Sequence, residues 1–211
     1  MKRFWIVGFL SVFLFLSFIA TNASAAGLGF YGTAGGGTSE WDADGFPGDD
    51  FDADTGHAGI GFVVDTNVAK DSVFNYRLQI GYERMKHEPE DTFFDDIKLD
   101  ALVIDQDFGF GIVRNKLLRF WVGPELRLVY ATGSPDNASD TDIHLWGIGI
   151  GPVAGINFNV SPLISLSVKG GLLATGYAGE METPIGDTDY EMSEVHGFGT
   201  FAVLFKIDDT F

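Results

Sequence analysis

The sequence predicts an all-β protein, an eight-stranded antiparallel transmembrane β-barrel preceded by a cleaved signal peptide. Three observations predict it. Apolar and polar residues alternate with a period of two in the clearest segments, a secretory leader opens the chain, and no later stretch of some 20 apolar residues could form a membrane helix.

Residues 1–25 place Lys2 and Arg3 before an apolar run from Phe4 to Phe18 and end on Ala23-Ser24-Ala25, the charged, apolar, small-residue order of a signal peptide. The run falls short of the roughly 20 residues of a spanning helix. Cleavage after Ala25 leaves residues 26–211 as one outer-membrane barrel domain. Removing Lys2 and Arg3 from the 13 basic residues leaves 11 against 30 acidic, a net charge of −19, which excludes a nucleic-acid partner. With no cysteine, the exported chain stands without disulfides or thiolate metal sites.

Weak alternation marks the first two segments, near 27–36 and 57–65. The third is clear: Tyr76, Leu78, Ile80 and Tyr82 interleave with Arg77, Gln79 and Gly81. In the fourth, 97–113, Ile97, Leu99, Ala101 and Val103 give way to Phe108, Phe110 and Ile112, so a bulge near Ile104–Gln106 is expected. The fifth sets Leu118, Phe120, Val122, Leu126, Leu128 and Tyr130 against Arg119, Gly123, Glu125 and Arg127. The sixth sets Trp146, Ile148, Ile150, Ala154, Ile156 and Phe158 against glycines 147, 149, 151 and 155. Weaker segments near 163–177 and 195–208 complete eight. Pro124 and Pro152 interrupt the fifth and sixth nearly opposite each other, which suggests a paired kink or bulge.

The connections alternate. Gaps near 37–56, 85–96, 132–142 and 177–194 are long and polar, whereas those near 66–72, 114–116 and 159–162 are short, the asymmetry of outer-membrane barrels. Cost decides which face meets lipid. Turned outward, Arg77, Arg119 and Arg127 would each lose about 2–4 kcal/mol near the bilayer midplane, and several such losses rival the stability of a domain.

A soluble barrel with the opposite phase is the alternative, and three features oppose it. The second face of the sixth segment is mostly glycine, too bare to solvate an exterior. Aromatic residues gather at segment ends, with Tyr82, Tyr130 and Trp146 by the long loops and Phe110, Phe120, Phe158 and Phe211 by the short turns, as interfacial girdles require. The chain also ends on Phe211 after Val203, Phe205 and Ile207 in one phase.

That ending resembles the C-terminal strand of bacterial outer-membrane proteins, and the resemblance implies that Phe211, Ile207, Phe205 and Val203 are read by the barrel-assembly machinery. The whole mature chain resembles, in architecture more than in motif, the small barrels of the OmpX, OmpW and opacity-protein type. Outer-membrane localisation, with lipid and lipopolysaccharide as partners, is what that resemblance implies. A peptidoglycan tether of the OmpA kind is not expected.

The long gaps hold 21 of the 30 acidic residues: Glu40, Asp42, Asp44, Asp49, Asp50, Asp52 and Asp54; Glu88, Glu90, Asp91, Asp95 and Asp96; Asp136, Asp140 and Asp142; and Glu180, Glu182, Asp187, Asp189, Glu191 and Glu194. Solvated acidic loops that repel anions explain them. Weak binding of Ca²⁺ or Mg²⁺ is the one cofactor they offer, since Asp50, Asp52 and Asp54 have the alternate spacing of a calcium loop. The match is partial, because Thr55 and Gly61 stand where that loop needs glycine and a bidentate glutamate.

All four histidines map to the outer end: His57, His144 and His196 at segment starts and His87 in a loop. Nothing in the sequence makes them converge. Catalytic residues are not identified. Resemblance to lipid A deacylases would imply a His-x-Ser pair, but His144 is followed by Leu145-Trp146 and His196 by Gly197-Phe198, while Ser193 lies on the face opposite His196. In the lumen Arg77, Arg119, Arg127 and Lys169 share space with Glu83, Glu125, Asp105 and Asp107, enough opposite charge for a network that plugs a barrel of this width.

The expected function is therefore a non-enzymatic integral outer-membrane barrel whose acidic loops serve envelope structure or contact with a surface ligand. A narrow channel or small-ligand barrel is the second reading, favoured by the inward glycines of the sixth segment. A lipid A-modifying enzyme is the third.

Overall fold

The computed structural model describes residues 27–43, 51–68, 72–90, 95–136, 141–183 and 186–207. Residues 1–26, which include the expected signal peptide, and Asp50 and Phe211 lie outside these. Eight strands follow in order: β1 (Gly27–Ala43), β2 (Phe51–Asp65), β3 (Phe74–Pro89), β4 (Ile97–Arg114), β5 (Leu118–Pro135), β6 (Asp142–Asn159), β7 (Ile164–Thr183) and β8 (Gly186–Lys206). Each pairs antiparallel with its neighbours in sequence, and β1 pairs with β8, from Gly27↔Lys206 to Ala43↔Tyr190, to close the barrel.

Three short turns are held by side chains that satisfy nearby backbone N–H groups. After β2, Asn67 N donates to Asp65 Oδ1 at 3.0 Å; after β4, Leu117 N and Leu118 N donate to Asn115 Oδ1 at 3.0 and 2.8 Å. After β6, Leu163 N and Ile164 N donate to Ser161 Oγ at 3.2 and 3.0 Å.

The strands run 15 to 21 residues, well beyond the roughly 9–11 that cross a bilayer. Most of the residues expected in long loops therefore stand on strands, and the alternation continues through them with its chemistry reversed. In the lower part the outward side chains are apolar, such as Phe30, Ile60, Ile80, Leu102, Ile148, Ile150, Leu172 and Phe201, and the inward ones are mostly polar, with a small apolar cluster of Tyr31, Val63, Val68, Ala202 and Leu204 among them. In the upper part the outward residues are Glu40, Asp52, Asp54, Arg84, Lys98, Asp100, Glu180 and Glu191, while the inward ones form a buried apolar core. That core contains Trp41, Met85, Leu99, Ala101, Val103, Val129, Ile143, Leu145 and Met192. Tyr130 and Trp146, at 4.3 Å between ring centroids, stand at the join of the two zones, as a girdle residue should.

This two-zone plan corrects the expectation for β4. Ile97, Leu99, Ala101, Val103, Asp105 and Asp107 all point inward in one unbroken phase, and Phe110 and Ile112 point outward. No bulge occurs near Ile104–Gln106. The apolar residues changed sides of the pattern because the surroundings changed, and the register shift falls instead between Gly111 and Val113.

The two prolines are also resolved. Pro124 pairs with Pro152 in an unshifted β5–β6 register, so no bulge joins them. Pairing lapses on their far sides, between Asp107↔Glu125 and Phe110↔Val122 toward β4, and between Ile150↔Ala174 and Val153↔Gly171 toward β7. Each ladder resumes in its original register, so the missing N–H of each proline is lost to an outer neighbour and not to the other proline.

The zones make opposite demands on one substitution. Ile150→Arg, in the apolar band, should cost about 2–4 kcal/mol in lipid, whereas Glu180→Arg, outward on the upper wall, should stay within about 0.5 kcal/mol of wild type. Urea unfolding in lipid vesicles measures both, and equal costs would contradict the boundary drawn here.

Candidate functional site: the closed lumen

The inward face of the lower zone is built in layers. At the base, the Arg119 guanidinium donates to Asn67 O at 3.1 Å, Val73 O at 3.3 Å and Asn75 Oδ1 at 3.3 Å, tying the turn after β2 to β5. Above it, Arg77 donates from Nε and Nη2 to Asp65 Oδ2 at 3.1 and 2.8 Å, and from Nη2 to Asn157 Oδ1 and Ser167 Oγ at 2.9 Å each. The same guanidinium lies 5.1 Å from the centroid of the Trp121 ring. In the next layer Lys169 Nζ bridges Asp107 Oδ1 at 3.0 Å and Glu125 Oε2 at 2.7 Å. Arg127 then pairs with Glu83 and lies 3.4 Å from Asp105 Oδ1.

The uppermost polar layer joins His57 Nε2 to Glu194 Oε1, with Tyr177 OH donating to Glu194 Oε2 at 3.0 Å. The His57 and His196 rings stack at 4.5 Å. Over this layer sits the apolar core, where Trp41 stacks on Phe51 at 5.7 Å and meets His87 edge-on at 5.3 Å, while Ser39 Oγ lies 3.0 Å from His87 Nδ1.

The space over the inward glycines of β6 is filled by their cross-strand neighbours on β5 and β7. A Cβ at Gly155 would lie 2.4 Å from Trp121 Cζ2, one at Gly147 would lie 2.5 Å from Tyr177 Cδ1, and one at Gly149 would lie 2.4 Å from Thr175 Oγ1. Small residues on β6 thus accept large ones from β5 and β7, and the lumen packs without needing wide strands.

The six residues expected to form a lumen network, Arg77, Glu83, Arg119, Glu125, Arg127 and Lys169, are all inward and buried. They meet in three separate clusters rather than one, and Arg119 serves turn carbonyls. Asp65 and Glu194 completed clusters that sequence reasoning had not drawn. Glu194 had been assigned to an acidic loop, yet Met192, Glu194, His196, Thr200, Ala202 and Leu204 share one phase of β8, a signal the sequence carried. Of the calcium-loop residues, Asp52 and Asp54 are exposed on the outward face of β2, paired with Glu40 and Thr38 on β1, in a strand and not a loop. His144 points away from the lumen, whereas His57, His87 and His196 point into it. Phe205 and Ile207 are exposed outward, as membrane-facing residues would be.

No family model matches the sequence, and no curated protein matches it. Among solved structures, the outer membrane protein OprG from Pseudomonas aeruginosa is similar over 89% of this chain and 97% of its own, at 9% identity and a TM-score of 0.63. The fold is that of an eight-stranded outer-membrane barrel. Neisserial surface protein A covers 81% of this chain and 95% of its own at 16% identity and a TM-score of 0.38. Ail, the attachment invasion locus protein of Yersinia pestis, covers 87% and 99% at 10% identity and a TM-score of 0.39.

Lys169 gives the sharpest test of the layered lumen. Lys169→Met strands two buried carboxylates and should cost about 3–5 kcal/mol of unfolding free energy. Adding Asp107→Asn and Glu125→Gln should restore most of it, and a triple variant no more stable than the single one would show that the pairing is not what the lysine provides.

Proposed function

We propose that the protein is an integral outer-membrane barrel with a closed lumen, non-enzymatic, whose acidic outer wall contributes to envelope structure and to contact with surface ligands. The observation that carries this reading is the continuous filling of the interior, ion-paired below and apolar above. A pore needs a water-filled path, and here Trp41, Trp121, Leu99, Leu145, Arg77 and Lys169 are all nearly inaccessible to solvent. The packing favours a rigid post over a channel.

The upper wall supplies the surface chemistry. Across β6, β7 and β8, Asp142 pairs in register with Glu182, and Glu180 with Asp189. Like charges directly opposite on one face repel, so the wall favours cationic partners or divalent ions that it shares with lipopolysaccharide phosphates. Arg84, Lys86 and Lys98 break the pattern on β3 and β4 through exposed pairs with Asp100 at 3.2 Å, Asp96 at 2.8 Å and Asp136 at 2.7 Å. Lipid and the assembly machinery complete the set of partners in this proposal. Ser193, the hydroxyl nearest in sequence to His196, faces outward while His196 faces inward, an arrangement that favours no nucleophile–base pair between them.

Planar-bilayer recording tests the reading. The folded protein should give no stepwise conductance, and Trp41→Ala with Leu99→Ala and Leu145→Ala should raise transient openings by emptying the apolar plug. Steady unitary currents from the wild-type protein would replace the closed post by a channel, and altered lipid A mass spectra in cells carrying it would replace it by an enzyme.

A further inference from the structure

The uppermost polar layer holds chemistry that a plug does not need. β1 lies between β2 and β8, and its residues opposite His57 and His196 are Gly35 and Gly37. With no side chain between them, the two imidazoles meet across a whole strand and stack at 4.5 Å with planes 20° apart. A Cβ at Gly37 would come within 2.8 Å of His196 Cβ, so the glycine is what permits the approach.

Both rings aim at one carboxylate oxygen. His57 Nε2 contacts Glu194 Oε1, and His196 Nδ1 lies 3.4 Å from the same atom. One nitrogen or oxygen from each of His57, Glu194 and His196 falls within a sphere of mutual distances no larger than 4.8 Å. Three donors on a zinc ion, at about 2.0–2.2 Å from the metal in tetrahedral order, stand roughly 3.3 Å apart, so the 3.4 Å from His196 Nδ1 to Glu194 Oε1 already suits a shared ion, while the closer His57–Glu194 contact must open. The side chains of all three are almost wholly buried, and His196 Nδ1 makes no hydrogen bond among the described residues.

Tyr177 OH holds the second oxygen of Glu194 at 3.0 Å, and Glu83 Oε2 lies 3.7 Å from His57 Nδ1, where a small approach would make it the outer carboxylate partner of a ligating imidazole. Arg127 pairs with Glu83 and lies 3.4 Å from Asp105 Oδ1 and 3.3 Å from His196 Nε2, so a metal on His196 Nδ1 requires that ring's proton on Nε2 and the guanidinium drawn back toward its carboxylates.

We propose that His57, Glu194 and His196 form an internal binding site for one divalent transition-metal cation of the zinc class. Two imidazoles and a carboxylate select borderline metals over Ca²⁺ and Mg²⁺, which take oxygen ligands. The apolar core above the site implies that metal is loaded as the barrel closes.

The protein is unfolded in urea with a chelator, refolded into detergent micelles with excess Zn²⁺, Mg²⁺ or Ca²⁺, desalted and assayed for bound metal, with heat-modifiable mobility confirming the fold. About one zinc should remain per folded chain, with neither Mg²⁺ nor Ca²⁺ retained. Tyr177→Phe should weaken retention about tenfold, His57→Ala with His196→Ala should abolish it, and His144→Ala, on the outward face, should leave it unchanged. Folded wild-type protein that retains no zinc overturns the proposal, and this arm needs no variant to fold. Equal retention by the double histidine variant, or loss in His144→Ala, overturns it as well.

Discussion

A closed antiparallel barrel gives every strand residue one of two directions, and the backbone cannot alter that alternation as the surroundings change from lipid to water. The rest of this structure follows from that constraint. Strands that stop at the membrane need a single code, apolar outward and polar inward. Strands of 15 to 21 residues cross into water and must invert the code without losing the phase. β4 does so between Val103 and Asp105, neighbouring inward positions of which one belongs to the apolar core and the other to the ionic lumen. No bulge is needed, because what changes is the identity of the residues and not the geometry.

Inverting the code moves the burden of stability. In the lower zone lipid contributes no hydrophobic contrast to the interior, so charges inside must be paired or they would cost several kcal/mol each. Arg77, Lys169 and Arg127 each find carboxylates, and the Asn157 and Ser167 side chains take further donors of Arg77. In the upper zone water lies outside, and the interior becomes an ordinary hydrophobic core in which Trp41, Leu99, Leu145 and Met85 are removed from solvent. The two interiors are complementary plugs. Paired charge dominates below, beside a small apolar cluster of Tyr31, Val63, Val68, Ala202 and Leu204, and apolar packing above seals what charge would leave wet.

Strand number and the lipid-facing phase were legible in the sequence because they rest on local alternation, which Tyr76 to Tyr82 displays without interruption and Trp146 to Phe158 displays on both sides of Pro152 and Val153. The long loops were misjudged for a physical reason. Charged residues were read as solvated turns, yet Glu40, Asp52 and Glu180 are solvated on the outer side of strands whose inner side chains, Trp41, Ala53 and Met181, point to the core. Inward charge at Arg77, Arg127 and Lys169 could be anticipated from phase alone. Their partners could not, since Lys169 reaches Asp107 and Glu125 on strands that are not its neighbours, and distance across a lumen leaves no trace in spacing.

The layer of His57, Glu194 and His196 stands where the two interiors meet, and that position explains its character. A polar group deep in the ionic lumen has partners above and below, whereas one at the join has partners on one side only, with Tyr177 and the apolar core on the other. Buried nitrogens such as His57 Nδ1 and His196 Nδ1 then make no hydrogen bond among the described residues, at a cost that an all-apolar layer would avoid. Leucine or methionine at these positions would continue the core downward. Two imidazoles brought together over a pair of glycines, with a carboxylate fixed between them, are a costly way to fill space and an economical way to hold a cation.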